Sequence, residues 1–433
     1  GGLRMIQMLV IADDFTGALD TGVQFAKRGY RTLITFHQTP DMLNARHDAQ
    51  VLVVDTESRH LCAKEAYGRV SAWTRAACAA GIQILYKKVD STMRGNIGAE
   101  LSGALDASGR RAAIFVPAYP RLGRTVVGGR VYVDNVPLCK TAFANDPFTP
   151  VDGETISDTI RVTAPKMRVQ NTSPGTLLRS LDALPEGAVL VVDTENELQM
   201  QEAALSLYAL RDKYVLSGCA GFAQMLPCML NKPAFISPAS PVIESALIVC
   251  GSVNPIALNQ IHAIEEAGVP SFCLSPAQCI DAAYWQTAQG DAYIASILQV
   301  MVQNRCVILK SADAPEDVEK VMAFANGGGI PAEALHQRIA DSLGLLSARL
   351  SEHTAPSSLM VVVGGDTLFG FMNRINATQL VPEKEIQPGI VQSQLLAGGK
   401  QQHIVSKAGG FGSDATLREI CAYYHVFPAL RAV

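Results

Sequence analysis

Short apolar runs, rich in β-branched residues, recur along the chain, and each closes on Gly, Asp, Ser or a similar turn former before a helix-like pattern begins. They read MLVIADD (8–14), VLVVDTES (51–58), IQILYKKVDS (82–91), AAIFVPAY (112–119), VLVVDTEN (189–196), ALIVCGS (246–252), RCVILKS (305–311), LMVVVGGD (359–366) and HIVSKAGG (403–410). A strand that is apolar at consecutive positions is covered on both faces, and alternation of such strands with helices predicts an α/β fold with doubly wound, mostly parallel sheets. In such folds ligands bind beyond the ends of the strands.

The alternation breaks at NKPAFISPASP (231–241), which predicts a boundary between domains at 1–235 and 236–433. A length of 433 residues suits two domains, each large enough for its own core. The repeat of VLVVDTE at 51–57 and 189–195 has flanks that do not match, so it reads as coincidence between two buried strands. Within 121–150, VYVDNVPL predicts a short hairpin around Asp134-Asn135; the whole segment is either a flap or a long excursion. FANGGGIP (324–331) follows a helical pattern and reads as a connector.

Composition narrows the partner. The chain is 48% hydrophobic and 18% charged with a net charge of −4, and its basic residues are scattered, which argues against nucleic-acid and membrane surfaces and leaves a small molecule. None of the ten cysteines forms a CxxC pair, and the expectation is reduced, buried thiols in a cytoplasmic protein. No apolar run is long enough to span a membrane, and the first strand starts too early for a signal peptide; Gly1-Gly2 reads as an appended remnant. The eight histidines show no HExxH or paired metal spacing, and His262 reads as structural.

Two sets of strand ends carry chemistry. In the first half, Asp13 and Asp14 follow the first strand, where one can face a crevice while the other caps a helix beginning near Thr16. Lys87-Lys88-Val89-Asp90-Ser91-Thr92-Met93-Arg94 precedes a helix over 97–106, so cations and hydroxyls converge on a helix N-terminus. That set suits a small polyhydroxy carboxylate. Arg59, after the second strand, is a candidate carboxylate clamp, and Ser217-Gly218-Cys219-Ala220-Gly221 serves either a ligand or close packing.

In the second half, three strand–loop–helix units share one design: Gly251-Ser252-Val253-Asn254-Pro255, Gly364-Gly365-Asp366-Thr367 and Ala408-Gly409-Gly410-Phe411-Gly412-Ser413-Asp414. Each alone is an ordinary turn, but three in one domain can surround a triphosphate with amides and helix N-termini. Lys407 can offset phosphate charge, Asp366 can hold Mg²⁺, and Ser413 or Asp414 is expected to cap the last helix.

With IADDFTGALD, YKKVDSTMRGNIGAE, PAYPRLGRTVVGGRVYVDNVPL, GSVNP, GGDTLFGFMNRI, QPGIV and SKAGGFG in this order, the chain resembles the four-carbon acid sugar kinase family over nearly its whole length. The resemblance implies a sugar-acid domain, an ATP domain and a site in the cleft between them, with hinge closure and phosphate transfer to the substrate's terminal 4-hydroxyl. It places substrate contacts on Asp13 or Asp14, Arg59, Lys88, Asp90, Ser91 and Arg94. Nucleotide contacts fall on Ser252, on Gly364, Gly365, Asp366 and Thr367, and on Gly409 or Gly410. Asp14 or Asp90 is the candidate to orient or deprotonate the hydroxyl, and Asp366 the candidate for Mg²⁺. Two departures stand out: GGDT where the family often has GGET, and AGGFG where SGNFG is common. KKVDSTMRGN looks like the threonate and erythronate kinases rather than the 3-oxo-tetronate kinases, and D-threonate is the expected substrate; the sequence permits a homodimer. Two other classes compete, a non-catalytic ligand sensor and a hydroxy-acid dehydrogenase, although no strand is followed by the GxGxxG that a dinucleotide needs.

Overall fold

The computed structural model describes residues 6–45, 47–141, 143, 151, 153–231, 241–397 and 400–427. The chain forms two compact units, Gly1–Ser237 and Pro238–Val433. The boundary expected at 235/236 falls within 232–240, outside the described residues, as do Gly1-Gly2.

In the first unit the strands are β1 (Met8–Ala12), β2 (Thr32–Thr35), β3 (Val51–Asp55), β4 (Ile84–Lys88), β5 (Ala112–Val116), β6 (Arg124–Val127), β7 (Arg130–Val133), β8 (Val136–Pro137), β9 (Val169–Thr172), β10 (Ala188–Val192) and β11 (Val215–Gly218). The helices are α1 (Phe15–Ala26), α2 (Ala63–Ala79), α3 (Ile97–Ser108), α4 (Ile156–Thr163), α5 (Leu177–Ala183), α6 (Glu197–Leu207) and α7 (Ala220–Ala223). Eight strands align in the order β2-β3-β1-β4-β11-β5-β10-β9, every neighbouring pair parallel. Strands β1, β3, β4, β5 and β10 are buried at every position, which is why they read as continuous apolar runs.

The strand order makes the site predictable. From β1 the chain runs to β2 and β3 on one side, then crosses to β4 on the other, so the crevice opens beyond the carboxyl ends of β1 and β4. Ala12 is in register with both Asp55 and Lys88, which sets Asp13-Asp14 and Val89-Asp90 just past the sheet edge.

Strands β6, β7 and β8 form the expected hairpin, with Asp134 and Asn135 both at positive φ in its tight turn. It is anchored rather than free: Val126 N–H donates to Thr194 O at 2.8 Å, and the Gly128 and Gly129 amides donate to the Asp193 carboxylate at 2.6 and 3.0 Å. The remainder of that segment, 144–150, lies outside the described residues.

The second unit contains β12 (Ser245–Cys250), β13 (Ser271–Cys273), β14 (Cys306–Lys310), β15 (Ser358–Val363), β16 (Gln379–Gln387), β17 (Ile390–Ala397) and β18 (Lys400–Lys407). Its helices are α8 (Pro255–Glu265), α9 (Pro276–Ile280), α10 (Ala288–Gln303), α11 (Pro315–Gly327), α12 (Ala332–Ser351), α13 (Gly365–Arg374) and α14 (Thr416–Tyr423). The order β13-β14-β12-β15-β18 is parallel, and β17 and β16 continue it as antiparallel strands. Here the switch point lies between β12 and β15. Ile248, Val361, Val363 and Val405 from the sheet pack with Ile261, Leu417 and Ile420 from α8 and α14.

The connector expected over 324–331 is shorter: α11 continues through Gly327, and only 328–331 link it to α12. The cysteines are free, but only Cys219, Cys250, Cys279, Cys306 and Cys421 are buried; Cys62, Cys78, Cys228 and Cys273 are exposed, because they lie at helix ends and on an edge strand. Among the described residues no helix is long and apolar enough to cross a membrane.

Candidate active site

At the first switch point β1, β4 and the loop after β3 deliver an ionic network. Arg59 donates from Nε to Asp13 Oδ2 at 2.8 Å and from Nη1 to Asp14 Oδ2 at 2.8 Å. Lys88 Nζ lies 3.3 Å from Asp13 Oδ1 and 2.9 Å from Asp14 Oδ1. Asp90 accepts from Arg94 Nε at 2.7 Å and from the Thr92 hydroxyl. Burial alone would raise the Asp13 carboxyl, but Arg59, Lys88 and Lys87 outweigh it and hold it below the ordinary carboxylate range. Asp90 is likewise held low, against its burial, by Arg59 and Arg94. The same pairing keeps Lys88 above its usual value although burial opposes it, Asp13 and Asp14 being its main counter-charges.

The two neighbouring aspartates divide their work differently from the sequence expectation. Asp14 both caps α1, accepting from Gly17 N–H at 3.1 Å, and is the more open, with 24% of its side chain exposed. Asp13 is 2% exposed and holds the two cations from beneath. Gly17 leaves room for this: a Cβ there would sit 1.6 Å from Lys88 Nζ.

The lysine doublet also splits. Successive strand residues face opposite sides, so Lys87 turns away from the network and pairs with buried Glu100 of α3 at 2.9 Å. Ser58 donates its hydroxyl to the same Glu100. Nothing local in the sequence announces this pair, since Glu100 reads as one more polar residue of a helix. Ser91 is half-buried beside Asp90. Gly218 and Gly221 serve packing: a Cβ would meet Val116 O at 2.3 Å and Ala118 O at 2.5 Å respectively.

In the second unit the three glycine loops converge. Gly251 N–H donates to Val363 O at 3.2 Å and Gly364 N–H to Lys407 O at 2.9 Å, which ties the ends of β12, β15 and β18 together. A Cβ on Gly251 would meet Thr367 Oγ1 at 2.1 Å, and one on Gly409 would meet Ser252 Oγ at 2.1 Å, while Gly410 faces Asn254. Helix α13 starts after Gly364 without a side-chain cap, leaving first-turn amides for a ligand, and Gly364 has φ 117°, which a side chain would strain. Gly365 and the exposed Asp366 form that first turn, with Thr367 buried behind them. Lys407 Nζ reaches the carbonyls of Ala408 and Gly409 at 3.0 and 3.2 Å, and burial lowers its ammonium to about 8. Neither Ser413 nor Asp414 caps α14: its N-cap is Ala415, and the preceding turn closes through Thr416 N–H to Ser413 O.

These halves match known domains. Residues 8–226 fit a family model described as a sugar-binding N-terminal domain, and residues 247–417 one described as a nucleotide-binding C-terminal domain. A D-threonate kinase of Salmonella typhimurium is 31% identical, over 96% of this chain and 98% of its own. The chain belongs to the four-carbon acid sugar kinase family. A D-erythronate kinase of Heliobacterium modesticaldum is 27% identical over 97% of both chains, and a 3-oxo-tetronate kinase of Pseudomonas fluorescens 27% over 93% of both. A solved structure from Salmonella typhimurium LT2 shares the fold at TM-score 0.79, with 22% identity over 96% of this chain and 99% of that one.

In this four-carbon acid sugar kinase the sugar-binding half therefore contains the ionic network, and the nucleotide-binding half the glycine loops. Asp13, Asp14, Arg59, Lys88, Asp90 and Arg94 come together, as do Ser252, Gly364, Thr367 and Gly409. Among the described residues the cluster with metal-ligand geometry is His262, Glu265 and Asp313, remote in sequence from Asp366 and filled by the Lys310 ammonium.

Proposed function

We propose that this kinase transfers the γ-phosphoryl group of ATP to the 4-hydroxyl of D-threonate, giving D-threonate 4-phosphate. The O4–P bond forms, the bond between the γ-phosphorus and the β,γ-bridging oxygen breaks with ADP as the leaving group, and the hydroxyl proton is released to solvent. The observation that carries this reading is the pairing of an ionic, hydroxyl-bearing strand-end site in the sugar-binding half with three converging glycine loops in the nucleotide-binding half.

Phosphoryl transfer asks chiefly for alignment and charge stabilisation. Asp14 and Asp90 form the more accessible acidic edge of the network and orient the sugar hydroxyls together with Ser91 and Arg94. Asp90, held low by two guanidinium groups, is a weak proton acceptor and suits orientation better than deprotonation. Asp13, Arg59 and Lys88 fix these groups from below. The uncapped start of α13 and the Ser252 and Gly409 loops cradle the phosphates. Asp366 fits Mg²⁺: its carboxylate is exposed and has no partner among the described residues, and Mg²⁺ commonly takes one carboxylate with phosphate and water oxygens. When bound, the ion neutralises charge on the phosphates. The two half-sites must meet during turnover.

D-threonate is favoured by the likeness to the Salmonella enzyme, and D-erythronate, differing at one stereocentre, is the competing substrate. A coupled assay of ADP release across D-threonate, D-erythronate, their enantiomers and 3-oxo-tetronates tests this. The expected result is the highest kcat/KM with D-threonate; no turnover with any of these acids would sink the proposal.

A further inference from the structure

The ionic network balances its own charge. Arg59, Lys88 and Arg94 face Asp13, Asp14 and Asp90, and Lys87 is matched by Glu100. A sugar acid brings one more carboxylate, which beside Asp14 and Asp90 would meet like charge unless a further cation receives it. The hairpin supplies a candidate. Arg121, in the turn before it, pairs with Glu197, and Arg130 with Glu154. Arg124 pairs with no acid among the described residues. Its Nη1 donates to Leu122 O at 2.9 Å, and its guanidinium lies 5.6 Å from the centroid of the Phe143 ring. Its Nε is buried and has no hydrogen-bond partner among the described residues, a state that asks for an explanation.

The backbone places Arg124 at the same carboxyl-end edge of the sheet as the network, beyond β5 and two strands from β4. Arg124 exchanges two backbone hydrogen bonds with Tyr119, just past the end of β5. Tyr119 packs on Cys219 and Ala220, just past β11, and β11 lies between β5 and β4. Burial pushes the Cys219 thiol up to about 11, against the opposing charges of Lys88 and Arg124.

We infer that Arg124 is the specificity residue that binds the substrate's carboxylate, receiving it on the guanidinium edge that carries Nε. A guanidinium edge presents two N–H groups in the spacing of a carboxylate's oxygens. The acid end of the sugar then faces the hairpin, and its hydroxyls face Asp14, Asp90 and Ser91. This rests on the proposed sugar-acid kinase activity and adds the residue that selects an acid over a neutral polyol.

The test compares D-threonate with D-threonamide, the same chain carrying an uncharged carboxamide, using the full-length protein. Losing a charged hydrogen-bonded pair, Arg124→Gln should raise KM for D-threonate about 10- to 100-fold. The KM for ATP and the kcat/KM for D-threonamide should stay within about twofold of the unaltered enzyme. Arg124→Lys, which keeps charge but loses the fork, should fall between. An unchanged KM for D-threonate, or an equal loss on both substrates, would overturn the assignment. If Arg124→Gln melts before assay temperature, Arg124→Lys decides by the same comparison, since a structural defect would lower both substrates alike. The unaltered enzyme tests the underlying activity separately: its failure on every tetronate removes both proposals, whereas its success with an insensitive Arg124 removes only this one.

Discussion

At Lys87 the pleat of β4 turns an ammonium away from the site and into the packing between the sheet and α3, where Glu100 is its carboxylate partner and both side chains are 1% exposed. A buried charge without its partner is costly, so Glu100→Gln should destabilise the protein by about 3–5 kcal/mol. Replacing both by methionine should recover most of that loss, because a well-packed apolar pair avoids the desolvation cost. Urea denaturation of the single and double variants measures this; equal losses in both would mean that packing, not charge, is what Glu100 supplies. Lys407 presents the opposite case, a buried ammonium whose contacts are backbone carbonyls. Burial holds it at about 8, below the ordinary lysine value of 10.5, so the folded protein releases this proton first. Its contribution to stability therefore rises with pH between those two values. Phosphate binding runs the other way, since the cation is lost as pH rises through about 8. The KM for ATP at saturating tetronate should increase from pH 7 to pH 9, and Lys407→Arg should flatten the profile; a flat profile in the unaltered enzyme would exclude this role.

Elements show the same division between what local pattern carries and what packing decides. All nine strands expected from apolar runs form; in β1, β3, β4, β5, β10, β14 and β15 burial at every position writes a continuous signature. Strands β16 and β17 escaped that reading: β16 alternates Val381 and Glu383 with Leu380 and Pro382, as an antiparallel strand with differing faces does. Strand β11 was hidden by its Ser217-Gly218 end. The candidate site residues were legible because they sit where such strands end. Their partners were not, since Arg59 with Asp13 and Lys87 with Glu100 meet only after the crossovers place β3, β1, β4 and α3 side by side. The expected cap of α14 failed for a related reason: its last loop closes through backbone groups, and Gln260 of α8 takes the Phe411 and Ser413 carbonyls. At α13, the element's geometry yields a prediction. Gly364, at φ 117° and ψ 127°, begins the helix in a conformation reserved for glycine. Gly364→Ala should cost about 1–3 kcal/mol of stability and turn the first amides of α13 away from a phosphate. Calorimetric titration with a non-hydrolysable ATP analogue should show weaker binding, with D-threonate binding unchanged. Retained nucleotide affinity would show that α13 does not hold the phosphates.

For the whole molecule, the decisive feature is that each unit has its own core and its own switch point, so a change at one half-site should leave the other half's ligand affinity alone while abolishing a turnover that requires both. Asp366 offers the cleanest trial of that separation. It is exposed in the first turn of α13, where a carboxylate favours the helix by only about 0.3–1 kcal/mol. Asp366→Asn should therefore shift the melting temperature little, keep the D-threonate dissociation constant unchanged, and lower kcat by at least about tenfold. If the carboxylate holds Mg²⁺, raising the ion's concentration should restore part of the rate, because a weakened ligand set is refilled by mass action. A variant that keeps both its rate and its Mg²⁺ dependence would leave Asp366 with the turn alone. A variant that loses D-threonate affinity as well would contradict the independence of the halves, since no residue of the β1–β4 network lies in the unit that carries Asp366.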